Sequence, residues 1–509
     1  MQQFFSAKLQ YFAVLTKFIF LSVGFPPRNL YFCRRNYLFI NRMKKFSTKK
    51  YMAALAMGAG LLCGACGEDR TYQFVEKTER CQWIYDIMTE WYLWADEMPK
   101  PSDAQFFGDP ETFFKKLIVS KDKYSYMEKK GDAEEGATRA INLTSSYGID
   151  FALYVDPVTQ SQSSPERVAR VLYVLPGSPA DVAGVKRGQW ITGIGDASLT
   201  TENYFGLING PATTLVTSEL NYSNPDSLYW QAGKTLSLAP SRHMEDNPFY
   251  VDTVYQVHGR RVAYLMYNRF STGPDDTGNE TQYNTQMRSI FQRFKAQEPT
   301  DFILDLRYNP GGYLTCAQVL ASLMAPAEAM GKIFCKLEYS DTEDFHRGEV
   351  FLFDEKLTAG AGLGLSRVYI ITSSLTASAS ESIINGLIPF LGKENVILVG
   401  SRTEGKNVAS LTFNSPYDYI LHPIVATVYN GNGESDYANG FEPTVPVDEL
   451  MSIAPFYPLG DVRELMLNTT LSTILVNAKK EETRTSSFPI ISLPAPETTS
   501  ISLRPVVEM

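Results

Sequence analysis

The stretch RVYIITSSLTASASESIINGLIPFLGKENVILVGSRTEGK, residues 367–406, constrains the fold more than any other. Residues 367–372 are β-branched and apolar, which suits a strand buried on both faces. Ser378 is followed three residues later by Glu381, a capping-box spacing that opens a helix at the serine. Ile383, Ile384, Leu387, Ile388 and Leu391 then recur at helical spacing, and Gly392 ends the run. Residues 396–399 form a second buried-strand run, closed by Gly400. A strand–helix–strand unit of this length is a parallel crossover, almost always right-handed. The two loops that follow its strands, one carrying Ser378 and the other Lys406, therefore leave the sheet at one edge. Open α/β sheets place their sites at that edge. A serine hydroxyl is a weak nucleophile that needs an adjacent base, and lysine is a base only when neutral, a state that burial favours. Ser378 and Lys406 together suggest a Ser-Lys nucleophilic dyad.

A second strand–loop–helix unit feeds the same edge. In DFILDLRYNPGGYLTCAQVLASLMAP, residues 301–326, an apolar strand at 302–306 precedes a helix at 315–324 with Ala317, Leu320, Leu323 and Met324 inward. Asn309-Pro310-Gly311-Gly312 is the turn between them. Adjacent glycines let bare backbone amides approach a ligand, as an oxyanion hole requires, although the same four residues are also good turn chemistry. Upstream, residues 261–267 read as a strand and 282–294 as a helix. Taken singly, Ser378 is explained as a helix N-cap and Lys406 as a solvated loop lysine. Their conjunction with the NPGG loop argues for catalysis.

From Thr71 to about Met127 the pattern is helical, with an aromatic and aliphatic stripe ended by Pro99 and Pro101. A packed core face explains that stripe better than a ligand groove does. A second helix is expected over 110–119. Residues 147–238 turn strand-rich, and YGIDF (147–151) with VLPGSPADVAGVKRGQWITGIGD (174–196) resembles a PDZ domain over about 90 residues. That resemblance implies that the loop of Gly148, Ile149, Asp150 and Phe151 receives a peptide's terminal carboxylate while the peptide adds as a strand. Downstream, 409–428 reads as strands and 461–475 as a last helix. Residues 477–509, rich in Ser, Thr, Pro and Glu, read as a flexible tail.

The amino end carries targeting signals. Residues 1–42 hold six Lys/Arg and no acid. Met43 opens a second start, MKKFSTKKYMAALAMGAGLLCGAC, with the basic region, apolar run and small-residue cleavage site of a secretory signal. Translation is expected to begin there, with 1–42 a misassigned upstream extension. Gly64-Ala65-Cys66 resembles the lipobox of bacterial lipoproteins, although Cys63 stands where that motif has leucine. The resemblance implies lipidation of Cys66 and a membrane-anchored place in a Gram-negative envelope, at the outer membrane, facing the periplasm or the surface. The chain carries −9 overall; residues 1–65 contribute ten positive charges and no acid, leaving −19 on the remainder. Such a protein repels phosphate backbones, which argues against a nucleic-acid partner. Cys66, Cys81, Cys316 and Cys335 are too few and scattered for a disulfide framework or a zinc site. The four histidines show no metal-ligand spacing, so neither a metal nor another cofactor is expected.

Three pieces, DLRYNPGG (305–312), TASASE (376–381) and the loop ending in Gly405-Lys406, lie behind the PDZ-like segment. Together they resemble the C-terminal processing, or tail-specific, serine peptidases over about residues 75–450. The resemblance implies an α/β multidomain fold: a helical amino-terminal piece, a PDZ-like β-rich domain and an α/β peptidase core. The division expected is a signal peptide at 43–65, a helical region at 66–140, the PDZ-like domain at 141–240, the peptidase core at 241–450, and a helix with its tail at 451–509. It further implies Ser378 as nucleophile, Lys406 as base, and the amides of Ala379 and of Gly311 or Gly312 as oxyanion donors. The reaction implied is hydrolysis of peptide bonds through an acyl-enzyme, on polypeptides with accessible C-terminal tails. Two departures stand out. The interval from Ser378 to Lys406 is slightly long, because the turn at 391–395 is extended, and Ser410 stands where most members carry a glutamine that orients the lysine. Two other readings stay open. One is a catalytically inactive surface lipoprotein that binds peptides or other ligands on the same scaffold. The other is a Ser-His variant, as in the tricorn-like relatives, with His258 or His422 as base.

Overall fold

The computed structural model describes residues 71–129, 145–161, 163–221, 228–275, 278, 281–340, 348–478, 496 and 498–499. The expected leader, the signal segment and Cys66 lie outside the described residues. The chain divides into a unit of residues 1–73, of which only 71–73 are described, and a unit of residues 74–509 that holds the sheets and the site.

A six-stranded sheet organises that second unit. Its order is Phe249–Val257, Arg260–Tyr267, Asp301–Asp305, Val368–Thr372, Val396–Gly400 and Val445–Pro446, and only the first strand runs antiparallel to its neighbour. Successive side chains of a strand point to opposite faces, so alternate residues feed two cores. Ala263, Leu265, Val368, Ile370, Val396 and Leu398 pack with the helices Gln282–Ala296, Leu314–Met324 and Ala379–Leu391. Val262, Tyr264, Tyr369, Ile371, Ile397 and Val399 face the other way, onto the helix Leu465–Ala478 and residues of a second sheet. Burial on both faces is why these strands read as unbroken apolar runs. Val368 pairs with Val396 and Thr372 with Gly400 in parallel register, so the expected crossover is present. Asp301–Asp305 and Val368–Thr372 are parallel neighbours too, and the loops after all three strands therefore emerge at one edge.

The second sheet is antiparallel and runs Ile149–Val155, Arg167–Val174, Trp190–Ile194, Thr213–Asn221, Tyr229–Leu238, with its own core around Phe151, Val171, Ile191 and Leu215. Its outer strand Ile149–Val155 is paired on the far side by Thr498–Thr499. The segment expected as a flexible tail thus contains a strand. Threonine's β-branch suits extended backbone even where the surrounding composition is loose.

Two other expectations shift. The amino-terminal helix is Thr71–Trp91, and Tyr126–Lys129, read as part of the helical pattern, is a strand paired with Tyr419–His422. Within it Tyr126 and Glu128 are buried and Lys129 is exposed, a period of two that four residues are too short to announce. The last helix starts at Leu465 rather than near 461. Glu464 N–H turns back onto the Asp461 carbonyl (2.9 Å), and the Glu464 carboxylate accepts from Met466 N–H at 3.1 Å and Leu467 N–H at 2.9 Å, so a turn and a side-chain cap occupy 461–464.

Candidate active site

Ser378 sits where the chain turns from the strand Val368–Thr372 into the helix Ala379–Leu391. Its backbone, at φ 62° and ψ −115°, lies in a region that side chains rarely adopt and that costs about 1–3 kcal/mol. Surrounding bonds hold it there. Ala377 N–H and Ser380 Oγ both donate to the Asn309 carbonyl, at 3.1 and 3.0 Å, and Thr376 Oγ1 donates to the Leu306 carbonyl at 2.8 Å. Ser373 Oγ donates to the Arg307 carbonyl. The serine loop is thus stitched along the LRYN segment before the NPGG turn. Ser378 is 1% exposed, and its hydroxyl oxygen makes no hydrogen bond. An orphaned buried hydroxyl costs about 1–3 kcal/mol, so the fold holds this atom against two penalties at once.

Glu381 is the group that joins the serine to the lysine loop. One carboxylate oxygen accepts from Ser378 N–H and from Lys406 N–H, both at 2.8 Å. The other accepts from Thr403 Oγ1 at 2.6 Å and Gly405 N–H at 2.7 Å. A carboxylate has about four acceptor sites, and all four are used here. Burial pushes the Glu381 carboxyl up to about 7, while the donors from Thr403, Ser378, Gly405 and Lys406 pull it down. The capping-box spacing announced a bond between Glu381 and the serine; the bonds to 403–406 were not legible, because they depend on how two distant loops meet. Lys406 itself is 1% exposed, with Nζ 5.4 Å from the centre of the Tyr124 ring. Ser410, four residues on, is buried in the strand Val408–Ser410.

The glycine pair lies against the serine. A Cβ on Gly311 would fall 2.7 Å from Ser378 Cβ and 3.2 Å from the Ala379 nitrogen, and one on Gly312 would fall 2.1 Å from the Phe270 carbonyl oxygen. Both have positive φ, so glycine is required by space and by backbone alike. Gly311 N–H already donates to Asn309 Oδ1 at 2.9 Å. Ala379 N–H, in the first helical turn, is one of the amides a helix cannot pair with its own carbonyls.

Neither histidine stands in the serine's hydrogen-bond network. His422 Nδ1 is 3.0 Å from Thr412 Oγ1 and its Nε2 is 3.1 Å from Glu128 Oε1, so both ring nitrogens have other partners. His258 is exposed in the turn between Phe249–Val257 and Arg260–Tyr267, at the edge opposite the serine.

Beneath the NPGG turn lies a buried ionic cluster that the sequence did not announce. The Arg307 guanidinium is 2.7 Å from Asp305, 2.9 Å from Glu449 and 2.8 Å from Glu464, all fully buried or nearly so. Arg187, from the second sheet's unit, reaches Glu449 at 2.7 Å and the Tyr308 hydroxyl oxygen at 2.7 Å. Burial alone would raise the Glu449 carboxyl; the Arg187 and Arg307 guanidiniums instead hold it down at about 2.

Gly148–Phe151 lies in the second sheet. Gly148 has φ +78°, and a Cβ there would fall 2.3 Å from Ser178 Cβ, at the start of the short helix Pro179–Ala183. Its N–H donates to Ser146 Oγ at 2.9 Å. Ile149 is paired with Val174, Asp150 with Tyr173 and Phe151 with Val171.

Comparison with known proteins places this fold among its relatives. Residues 261–447 match peptidase family S41 and residues 81–126 match the peptidase S41 N-terminal domain. The solved structure of a protein assigned to the S41 proteases, from Bacteroides fragilis NCTC 9343, is 33% identical with a TM-score of 0.67, covering 77% of this chain and 97% of that one. A carboxyl-terminal-processing protease of Picosynechococcus is 25% identical over 252 residues, 49% of this chain and 53% of that protein. The carboxy-terminal processing protease CtpA of Bacillus subtilis is 24% identical over 290 residues, 56% of this chain and 54% of that protein. The chain therefore spans about half the length of the curated relatives it matches. Matched along nearly the whole of its Bacteroides counterpart, the chain belongs to peptidase family S41, that of the C-terminal processing peptidases.

Proposed function

We propose that the chain is a serine endopeptidase that cuts unfolded or tail-presented polypeptides with a Ser378–Lys406 dyad. The observation that carries this reading is the Ser378 hydroxyl: strained, buried and without a hydrogen-bond partner, it hangs from a backbone that shares one Glu381 oxygen with Lys406. In this reading Ser378 Oγ attacks the peptide carbonyl carbon while neutral Lys406 takes its proton. The amides of Ala379 and Gly312 receive the oxyanion, Gly311 N–H being engaged by Asn309. Collapse breaks the C–N bond, Lys406 returns the proton to the leaving amine, and water then releases the acyl group as a carboxylate. Ser410 orients the lysine in place of the family glutamine. The Gly148–Phe151 end of the second sheet receives the substrate's terminal carboxylate in the manner of a PDZ domain, and Cys66 anchors the protein by lipid at the outer membrane of a Gram-negative envelope.

Lys406→Arg tests the dyad. Arginine stays protonated at any working pH, so this variant is expected to be as inactive on an unfolded protein as Ser378→Ala, a loss of roughly 10⁴-fold or more in kcat/KM. His258→Ala should keep most activity, and kcat/KM of the unaltered protein should rise with pH as the base becomes neutral. A Lys406→Arg protein that still cleaves near the unaltered rate ends the assignment.

A further inference from the structure

The outer strand of the second sheet, Ile149–Val155, carries a neighbour from the far end of the same chain. Thr498 pairs with Leu153 and Thr499 with Ala152, antiparallel. Every residue of Ile149–Val155 is buried, and its other side is paired with Arg167–Val174, so the strand's remaining backbone edge is where Thr498–Thr499 binds. An edge of unpaired N–H and C=O groups is a template for strand addition. The direction of the added strand matters. Because the pairing is antiparallel, the step from Thr498 to Thr499 runs toward the Gly148 end of the strand, which is how a peptide must run to present its carboxyl side to the Gly148–Phe151 loop. The local sequence suits the role. Pro496 cannot donate to a ladder, which limits where pairing can begin, while Thr498 and Thr499 favour extended backbone.

We propose that Thr498–Thr499 is a built-in ligand of this strand edge, occupying in cis the place where a substrate's tail adds as a strand, so that substrate must displace it. The inference rests on the strand-addition part of the function proposed above. The chain's Ser/Thr-rich end then acts as a filter. A covalently attached occupant competes at an effective concentration on the order of millimolar, which excludes weakly binding tails. A good substrate tail is one that displaces a Thr-Thr strand, an extended segment of β-branched or aromatic residues without proline.

Hydrogen exchange and peptide binding in the full chain test this, all in the Ser378→Ala background so that nothing is cleaved. Thr499→Pro removes a backbone donor without touching the site. It is expected to raise amide exchange in Ile149–Val155, and to tighten binding of a fluorescein-labelled decapeptide ending in a valine carboxylate by about three- to tenfold. Truncation after Ala478 should do the same, and adding residues 490–509 back as a free peptide should reverse both effects. Unchanged exchange in Ile149–Val155 for both variants overturns the inference. Faster exchange with unchanged decapeptide affinity also overturns it, since the segment would then sit at the edge without competing. Failure of the peptidase reading shows differently. A wild-type protein that cleaves no unfolded protein, yet binds the decapeptide more tightly on Thr499→Pro, loses the peptidase and keeps the cis ligand.

Discussion

Two buried polar clusters sit under the same sheet edge and are built on opposite principles. Around Arg307, every charge has a partner: Arg307 and Arg187 face Asp305, Glu449 and Glu464, and the Tyr308 hydroxyl donates to Glu449. Around Glu381, the carboxylate is saturated by four donors, but the serine it holds is strained and its hydroxyl has no partner. The first cluster fixes geometry and joins Arg187 of the second sheet's unit to the NPGG segment. The second keeps one serine hydroxyl in an unfavourable state. A saturated cluster reads as structure, and a cluster that leaves one nucleophilic atom unpaired reads as chemistry.

The sharpest way to break the first cluster is Arg307→Met. It leaves buried Asp305 without its guanidinium and Glu449 and Glu464 facing Arg187 alone, and removing one partner of such a group costs about 3–5 kcal/mol. Denaturant unfolding should show that loss at neutral pH. The sign with acid follows from Glu449, held down at about 2 against an ordinary 4.5. A depressed carboxyl contributes stability that is present above pH 4.5 and lost as pH falls toward 2. The stability gap between the unaltered protein and Arg307→Met should therefore narrow across that window. A constant gap would mean the cluster is not ionic.

Glu381→Gln breaks the second cluster. An amide offers one acceptor atom and two unwanted donors to four groups that all donate, so the serine and lysine loops should shift relative to each other. A displacement of about 1 Å can cost about 10²-fold in rate, and kcat rather than KM should carry the loss. The pH signature is opposite to that of the first cluster. Glu381 is pushed up to about 7 from an ordinary 4.5, so the stability it contributes is present below pH 4.5 and lost as pH rises through 7. Glu381→Gln should flatten the unfolding free energy between those limits. If the variant keeps its activity, Glu381 does not position the site.

How legible each cluster was in the sequence follows from how far apart its members lie. The strand–helix–strand unit, its edge and the approach of the Ser378, Lys406 and Gly311 backbones could be read, because β-branched runs, a capping spacing and a parallel crossover leave little freedom. Glu381 was visible only as a cap, since its bonds to Thr403, Gly405 and Lys406 need two loops in register. The Arg187–Glu449–Arg307 contacts span residues 187 to 449, and no local pattern marks an arginine or glutamate as buried. Tyr126–Lys129 and Thr498–Thr499 were missed for another reason: a strand of two to four residues has no period long enough to detect, and only its partner defines it.

The smallest expected effect separates the two penalties borne at Ser378. Ser378→Ala deletes the orphaned hydroxyl but keeps a Cβ at φ 62°, so it should stabilise the inactive protein by about 1 kcal/mol. Ser378→Gly deletes the hydroxyl and also frees the backbone, because φ 62° and ψ −115° is a conformation glycine adopts without strain. Against that relief of about 1–3 kcal/mol stands the extra entropy glycine loses on folding, roughly 0.5–1 kcal/mol. Glycine should therefore exceed alanine by about 1 kcal/mol, and the difference measures backbone strain alone, since neither variant carries the hydroxyl. Denaturant midpoints with equal slopes give both numbers. Alanine and glycine variants no more stable than the unaltered protein would show that the site holds its serine at no cost, and the contrast between the saturated cluster and the unsaturated one would fall with it.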